Sequence, residues 1–124
     1  MIFFHDESMA LILFRIALRQ LEFAGNLILY YWKNANQQEV DFVLQRSGKI
    51  IALFQVCCDL SDDKVRRREV NGLLTAGRDR ACENRIILTL DEEHTEKEEW
   101  SGIRGDIQYI PLWKWLQRTD IPGT

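Results

Sequence analysis

One stretch of the chain, residues 39–58, carries the side chains that could do chemistry. It reads EVDFVLQRSGKIIALFQVCC and combines two acids with a Gln-x-Cys pair. Side chains alternate between the faces of a strand, so Gln55 and Cys57 share one face. If two strands meet through a turn at 47–48, Asp41 and Gln55 come within reach of each other. Asp41, Gln55 and Cys57 are therefore the candidate catalytic residues.

Each of these side chains also has a structural interpretation. Asp41 lies between two apolar residues and needs a partner, and main-chain amides or an arginine would serve as well as a metal ion. Gln55 has apolar neighbours and fits hydrogen bonding within a sheet. Cys57 fits a small buried side chain or a reactive thiol. Glu39 fits a solvated residue at the edge of a strand.

The elements around this stretch indicate an α/β fold. An apolar helix and the strand LILYYWK precede it, and its own second strand is a nearly continuous apolar run, IIALFQVCC. Ser61, followed by two acids, predicts the N-cap of a helix that ends near Cys82. RIILTL, at 85–90, predicts another buried strand. The helix between these two buried strands is long enough for a crossover between parallel neighbours.

The length of the chain predicts a single domain of residues 1–124. Its last elements follow the predicted strand at 85–90. The segment 91–102, DEEHTEKEEWSG, is acidic and aperiodic, which is typical of a solvated loop. A short strand, DIQYI, follows, and Pro111 begins a helix. The predicted order is αβββαββα, a mixed sheet flanked by helices.

Charge and composition limit the class of protein. A net charge of -3 argues against nucleic-acid binding by overall charge, although it leaves room for a local basic patch. The helix after Ser61 is the most basic element. It supplies the candidate DNA or partner contacts Lys64, Arg66, Arg67 and Arg68, although charges that wind around a helix also suit a solvated surface.

The cysteines indicate the cellular compartment, and the apolar runs indicate whether a helix could span a membrane. The three cysteines match neither a disulfide framework nor a zinc spacing, which favours a reducing, cytoplasmic compartment. The apolar run at 9–18 is interrupted by Arg15, and it is shorter than the roughly 20 residues that a spanning helix needs. The sequence therefore predicts no membrane partner.

Four phrases between Tyr30 and Leu116 carry a resemblance to a known family: YYWKNANQQEVDFVL, IIALFQVCCDL, RREV and YIPLWKWL. With the predicted order of elements, they resemble the PD-(D/E)XK nuclease superfamily. They are more closely similar to the nuclease-like domain at the carboxyl end of prokaryotic AAA+ type ATPases of poorly known function. The resemblance implies a restriction-endonuclease-like fold in a fragment of a longer ATPase. It implies the ATPase domain of the same or a related chain as partner, with DNA and a second copy as further candidates.

The resemblance also implies roles for the candidate site. Asp41 corresponds to the nuclease aspartate, and the Glu-x-Lys pair falls on Gln55 and Cys57. In a working site, carboxylates hold Mg²⁺ or Mn²⁺, which polarises the phosphate and activates water. Gln55 brings no negative charge, and the thiol of Cys57 is not an ammonium at neutral pH.

Two functions follow from these substitutions. The first is a degenerate, non-catalytic domain that serves as an interaction, regulatory or DNA-contacting module of the ATPase. The second is a DNA endonuclease in which Asp41 and Gln55 bind Mg²⁺ or Mn²⁺. The lost charge and the lost ammonium favour the first.

Overall fold

The computed structural model describes residues 7–25, 27–57 and 59–117. Within these residues the chain forms three helices and six strands. The helices are α1 (Glu7–Gly25), α2 (Asp63–Asp79) and α3 (Leu112–Leu116); the strands are β1 (Leu27–Lys33), β2 (Glu39–Arg46), β3 (Lys49–Val56), β4 (Arg85–Thr89), β5 (His94–Trp100) and β6 (Ile103–Pro111).

The six strands form one mixed sheet in the order β1-β2-β3-β4-β6-β5. β3 and β4 are parallel and are connected through α2, as the length of this connection predicted. β4 and β6 are also parallel, whereas the three remaining pairs are antiparallel. The structure therefore confirms a mixed α/β fold with a central crossover.

The predicted order αβββαββα lacks one strand. The segment 91–102, predicted to be a solvated loop, contains β5, which pairs along its whole length with β6. β5 is the last strand of the sheet, and most of its side chains are exposed or half-buried. Such a strand needs no apolar face, and charged side chains are a common way to protect a sheet edge from other chains.

Local residue chemistry explains the turn and the helix start that position the candidate site. Ser47 and Gly48 both have positive φ, 51° and 81°, which fits the tight β2–β3 hairpin that the sequence predicted. The predicted N-cap, Ser61, is wrong by one residue. Asp62 caps α2 by accepting from the amides of Lys64 and Val65, whereas the Ser61 hydroxyl donates to Asp59.

Apolar side chains cover both faces of the sheet. On one face, α2 packs Leu73 and Leu74 against Val43, Leu53 and Ile87. On the other face, α1 and α3 enclose an aromatic cluster in which the rings of Phe14, Phe42, Phe54 and Trp115 lie about 5 Å apart. In the described ranges, none of the helices combines the length and apolar character needed to cross a lipid bilayer.

Candidate functional site

Gln55 lies on β3 with only 1% of its surface exposed, and its amide joins three main-chain groups. Its Oε1 accepts from the Asp41 amide at 2.9 Å. Its Nε2 donates to the Glu39 carbonyl at 2.7 Å and to the Glu69 carbonyl at 3.2 Å. The first two groups belong to β2 and the third to α2, so one side chain ties the strand to the helix. We call Glu39, Asp41, Gln55 and Glu69 the Gln55 clamp.

Asp41 makes a reciprocal contact with the main chain of β3. Its Oδ2 accepts from the Val56 amide at 2.9 Å. The regular β2–β3 pairing ends at Phe42 opposite Phe54, so the side chains of Asp41 and Gln55 connect the two strands beyond that pair. The expected proximity of Asp41 and Gln55 is confirmed. The hydrogen bonds, however, run from each side chain to the backbone of the other strand.

Gly72 lets α2 approach the clamp closely. A Cβ at this position would lie 2.2 Å from the Glu39 carbonyl oxygen and 3.0 Å from Gln55 Nε2. The first of these atoms is main chain in a buried part of the sheet, so it has little freedom to move aside. Any residue larger than glycine would therefore push the helix away from the Gln55 amide.

The clamp contacts do not fit a divalent cation held by Asp41 and Gln55. Mg²⁺ requires about six oxygen ligands, usually including carboxylates. The Gln55 oxygen already accepts from the Asp41 amide, and its nitrogen faces two carbonyl groups. Across the described part of the chain, no three His, Cys, Asp or Glu side chains converge as metal ligands would. The Mg²⁺ or Mn²⁺ site remains a prediction, and the Gln55 contacts argue against it.

Cys57 and Glu39 bond other groups. Cys57 is 2% exposed, and its thiol donates to the Asp59 carbonyl at 3.4 Å. The Glu39 carboxylate accepts from the hydroxyl of Tyr31, and this hydrogen bond raises the pKa of Tyr31 to about 12. Cys58 lies outside the described residues. Of the three predicted catalytic residues, Asp41 and Gln55 are joined directly by a hydrogen bond.

The predicted contact residues on α2 divide into two groups. Arg66 turns towards the β4–β5 connection, where it donates to Glu92 at 2.9 Å and to the Leu60 carbonyl at 3.3 Å. Arg67 and Arg68 are more than half exposed, and their acidic neighbours Glu98 and Glu69 lie 3.8 Å away, which is longer than a strong ion pair. Arg66 is thus largely neutralised, whereas Arg67 and Arg68 remain open to solvent.

A concavity of about 730 Å³ places Arg67 and Arg68 beside other polar groups. Lys64 joins them, Asp63 is the one acid among the described lining residues, and amide side chains and Trp100 complete the wall. Trp100 is fixed by its indole N–H, which donates to the Asn71 amide oxygen at 3.1 Å in the amide orientation that satisfies both groups. We call this concavity the α2 groove; it is lined by Asn36, Gln37, Gln38, Asp63, Lys64, Arg67, Arg68, Asn71 and Trp100.

Comparison with known proteins places this arrangement in a family. The family described as a domain of unknown function, DUF4143, matches residues 15–115, which include the Gln55 clamp and the α2 groove. The chain belongs to the DUF4143 family. It is also 32% identical over 102 residues to an uncharacterized protein, MJ1544, from Methanocaldococcus jannaschii. That match covers 81% of this chain but only 22% of the archaeal protein, so the chain spans about a fifth of the relative's length.

This DUF4143 domain also contains a polar network that the sequence analysis missed. Glu92 accepts from Arg66 and lies 2.7 Å from His94 Nε2, while the His94 ring stacks on Tyr109. Burial raises the pKa of Glu92, but the hydrogen bonds from His94 and Arg66 outweigh it, so the net shift is downward. Thr89 holds the turn by bonding both main-chain groups of Glu92. The network fixes the β4–β5 connection. The sequence analysis missed the network because residues 91–102 were predicted to be a solvated loop.

Proposed function

We propose that this domain is a non-catalytic interaction module. It keeps the restriction-endonuclease-like fold of PD-(D/E)XK nucleases and serves an AAA+ type ATPase as a regulatory or DNA-contacting part. The order of the central elements and the positions of Asp41 and Gln55 in the hairpin support the nuclease-like ancestry.

The contacts of Gln55 carry the proposal that the module is non-catalytic. A nuclease of this superfamily needs a charged metal ligand at this position, and here a neutral amide is used to bind Asp41, Glu39 and Glu69 main-chain groups. Replacing a carboxylate by an amide removes the charge that would attract Mg²⁺. The same replacement supplies the two N–H donors that the clamp uses.

The α2 groove is the surface that we propose for the partner. Among the residues that line the groove, Lys64, Arg67 and Arg68 outnumber the acid Asp63, and Glu98 and Glu69 lie 3.8 Å from the two arginines. Amide groups beside these cations can donate to phosphate oxygens. Trp100 offers an apolar surface at the same place. An anionic partner fits this composition, and we propose the DNA backbone, contacted without reading of base sequence.

Fluorescence anisotropy with a labelled DNA duplex tests this surface. We expect binding that weakens steeply as salt rises, because phosphate contacts release counterions. The double charge reversal Arg67→Glu and Arg68→Glu is expected to weaken binding at least tenfold. The matched control reverses Arg78 and Arg80, two exposed arginines at the other end of α2, and should have a much smaller effect. Equal losses in both double variants would contradict the proposed groove.

The alternative function is a Mg²⁺- or Mn²⁺-dependent DNA endonuclease that uses Asp41. The observation in its favour is that Asp41 stands beside Gln55 at the hairpin position of the nuclease motif. Plasmid cleavage assays with Mg²⁺ or Mn²⁺ separate the two functions. We expect no cleavage above that of an Asp41→Asn variant prepared in the same way. Metal-dependent cleavage that disappears in Asp41→Asn would replace the non-catalytic proposal.

A further inference from the structure

Arg85, the first residue of β4, is a buried cation with unused hydrogen-bond donors. It is 6% exposed, and its Nε donates to the Leu73 carbonyl of α2 at 3.2 Å. No other residue of the described ranges bonds or pairs with its two Nη groups. A buried guanidinium normally has an anionic partner, because its loss of water is otherwise poorly compensated. Among the described residues, Arg85 therefore has no anionic partner.

Two glycines make room for this guanidinium. A Cβ at Gly77 on α2 would lie 2.4 Å from Arg85 Nε, and a Cβ at Gly105 on β6 would lie 2.5 Å from Nη1. Neither glycine has positive φ, so the backbone itself does not require glycine at these positions. Glycine is required by the space that the guanidinium occupies, because a side chain at position 77 or 105 would overlap with it.

Arg85 lines an open cavity at the start of β4. β6 pairs with β4 only from Gln108 onwards, so its residues 103–107 extend past the start of β4 and leave a notch in the sheet. A cavity of about 620 Å³ lies in this notch. Its wall includes Arg85, Glu83, Lys97, Glu98, Arg104 and Asp106.

The charges of the wall limit what could bind there. Glu98 lies 3.8 Å from Arg67, and Glu99, which also lines the cavity, lies 3.4 Å from Arg104. Glu83, Asp106 and Lys97 have no ion pair with any described residue, and Lys97 lies opposite Asp106 in the β5–β6 register. The unpaired charges of the wall are therefore two acids and the two cations Arg85 and Lys97. Phosphate, with its higher negative charge, would meet these two unpaired acids. A single carboxylate that carries a cationic group nearby would satisfy both signs.

We propose that this cavity binds a small zwitterion of the amino-acid class, with its carboxylate on the Nη groups of Arg85 and its cationic group beside Asp106. The planar fork of a guanidinium matches the two oxygens of a carboxylate, which gives a directional, paired contact. The site is separate from the Gln55 clamp and the α2 groove, so it does not depend on the proposed function.

Protein-observed NMR titration tests the cavity with four probes. Glycine and γ-aminobutyrate are zwitterions with short and long charge separation, and acetate and phosphate are the comparators. We expect at least one zwitterion to shift the signals of Arg85 Nε and the Gly105 amide, with at least tenfold tighter binding than acetate or phosphate. Tighter binding of phosphate, or no shift with either zwitterion, would overturn the proposal.

Three variants assign the contacts. Arg85→Lys keeps the charge but removes the planar fork, and it should weaken zwitterion binding at least tenfold. Asp106→Asn changes an exposed acid, so it should leave the fold intact and weaken the zwitterion severalfold while leaving acetate unchanged. Asp91→Asn, at an exposed acid outside the cavity, is the matched control and should change nothing. If Arg85→Lys does not fold, Asp106→Asn decides, and equal effects of the two aspartate variants would overturn the site.

Discussion

Gln55 and Arg85 are two buried polar side chains that contact the same helix and differ in how far they are satisfied. Gln55 bonds three main-chain groups, whereas Arg85 bonds one and lines a cavity. Each depends on a close approach at a glycine of α2, Gly72 for Gln55 and Gly77 for Arg85. The comparison shows that burial alone does not mark a functional residue. The number of donors and acceptors left unmet by the protein separates a structural side chain from a candidate ligand-binding one.

Removing the Gln55 amide should give the largest effect on stability. Gln55→Leu leaves the Asp41 amide and the Glu39 and Glu69 carbonyls without these bonds, and we expect a loss of about 3 kcal/mol in the free energy of unfolding. Urea unfolding measures the loss. Gln45→Leu, at a half-buried position of β2, is the matched control and should change stability by about 0.5 kcal/mol or less. Similar values for the two variants would mean that the clamp contributes little.

The two glycines of α2 sharpen the comparison. Gly72→Ala puts a methyl group against the main-chain oxygen of Glu39, and we expect a loss of about 2 kcal/mol despite the better helix propensity of alanine. The atoms nearest to a methyl group in Gly77→Ala belong to the Arg85 side chain, which can shift towards the cavity, so the expected loss is about 1 kcal/mol. Thermal or urea unfolding of both variants measures the difference. A larger loss for Gly77→Ala would mean that Arg85 is held as rigidly as the clamp.

Much of the central fold could be predicted from the sequence, because its signals are local. The hairpin follows from two strand-like segments on either side of Ser47 and Gly48, and the crossover follows from two apolar runs separated by a helix of suitable length. The proximity of Asp41 and Gln55 follows from the same hairpin. Their partners could not be predicted, because Glu69 comes from α2 and its distance depends on the packing at Gly72.

Two of the features that the sequence analysis missed depend on strand pairing and packing that local sequence patterns do not show. β5 is acidic and largely solvated, so its strand character comes from pairing with β6 and not from an apolar pattern. The Arg85 cavity depends on Gly77, on Gly105 and on the offset between β4 and β6. No spacing in the sequence joins these positions. Glycines in a helix and in a strand were the available signal, since each weakens its own element and therefore indicates a close approach.

The smallest expected effect concerns Glu39. Its main-chain carbonyl belongs to the clamp, whereas its side-chain carboxylate bonds Tyr31 and does not belong to the clamp. The hydrogen bond from Tyr31 raises the pKa of Tyr31 to about 12 from 10.0. The raised pKa means that this contact stabilises the fold below pH 10 and that its contribution is lost as the pH rises from 10 to 12. Absorbance titration should give a tyrosine with a midpoint near 12, and Glu39→Gln should lower it without the stability loss of Gln55→Leu. A large loss in Glu39→Gln would place the carboxylate in the clamp as well.

The metal response of a Gln55→Glu variant tests most directly whether this position is structural. The substitution keeps the size of the side chain, but it removes both N–H donors and turns a carboxylate oxygen towards the Glu39 and Glu69 carbonyls. We measure the free energy of unfolding with and without Mg²⁺ or Mn²⁺. The account predicts a variant that is less stable than the parent by about 3 kcal/mol and that neither metal restores. Recovery of the parent's stability on addition of either metal would show a cation site at Asp41 and residue 55 and would contradict the account.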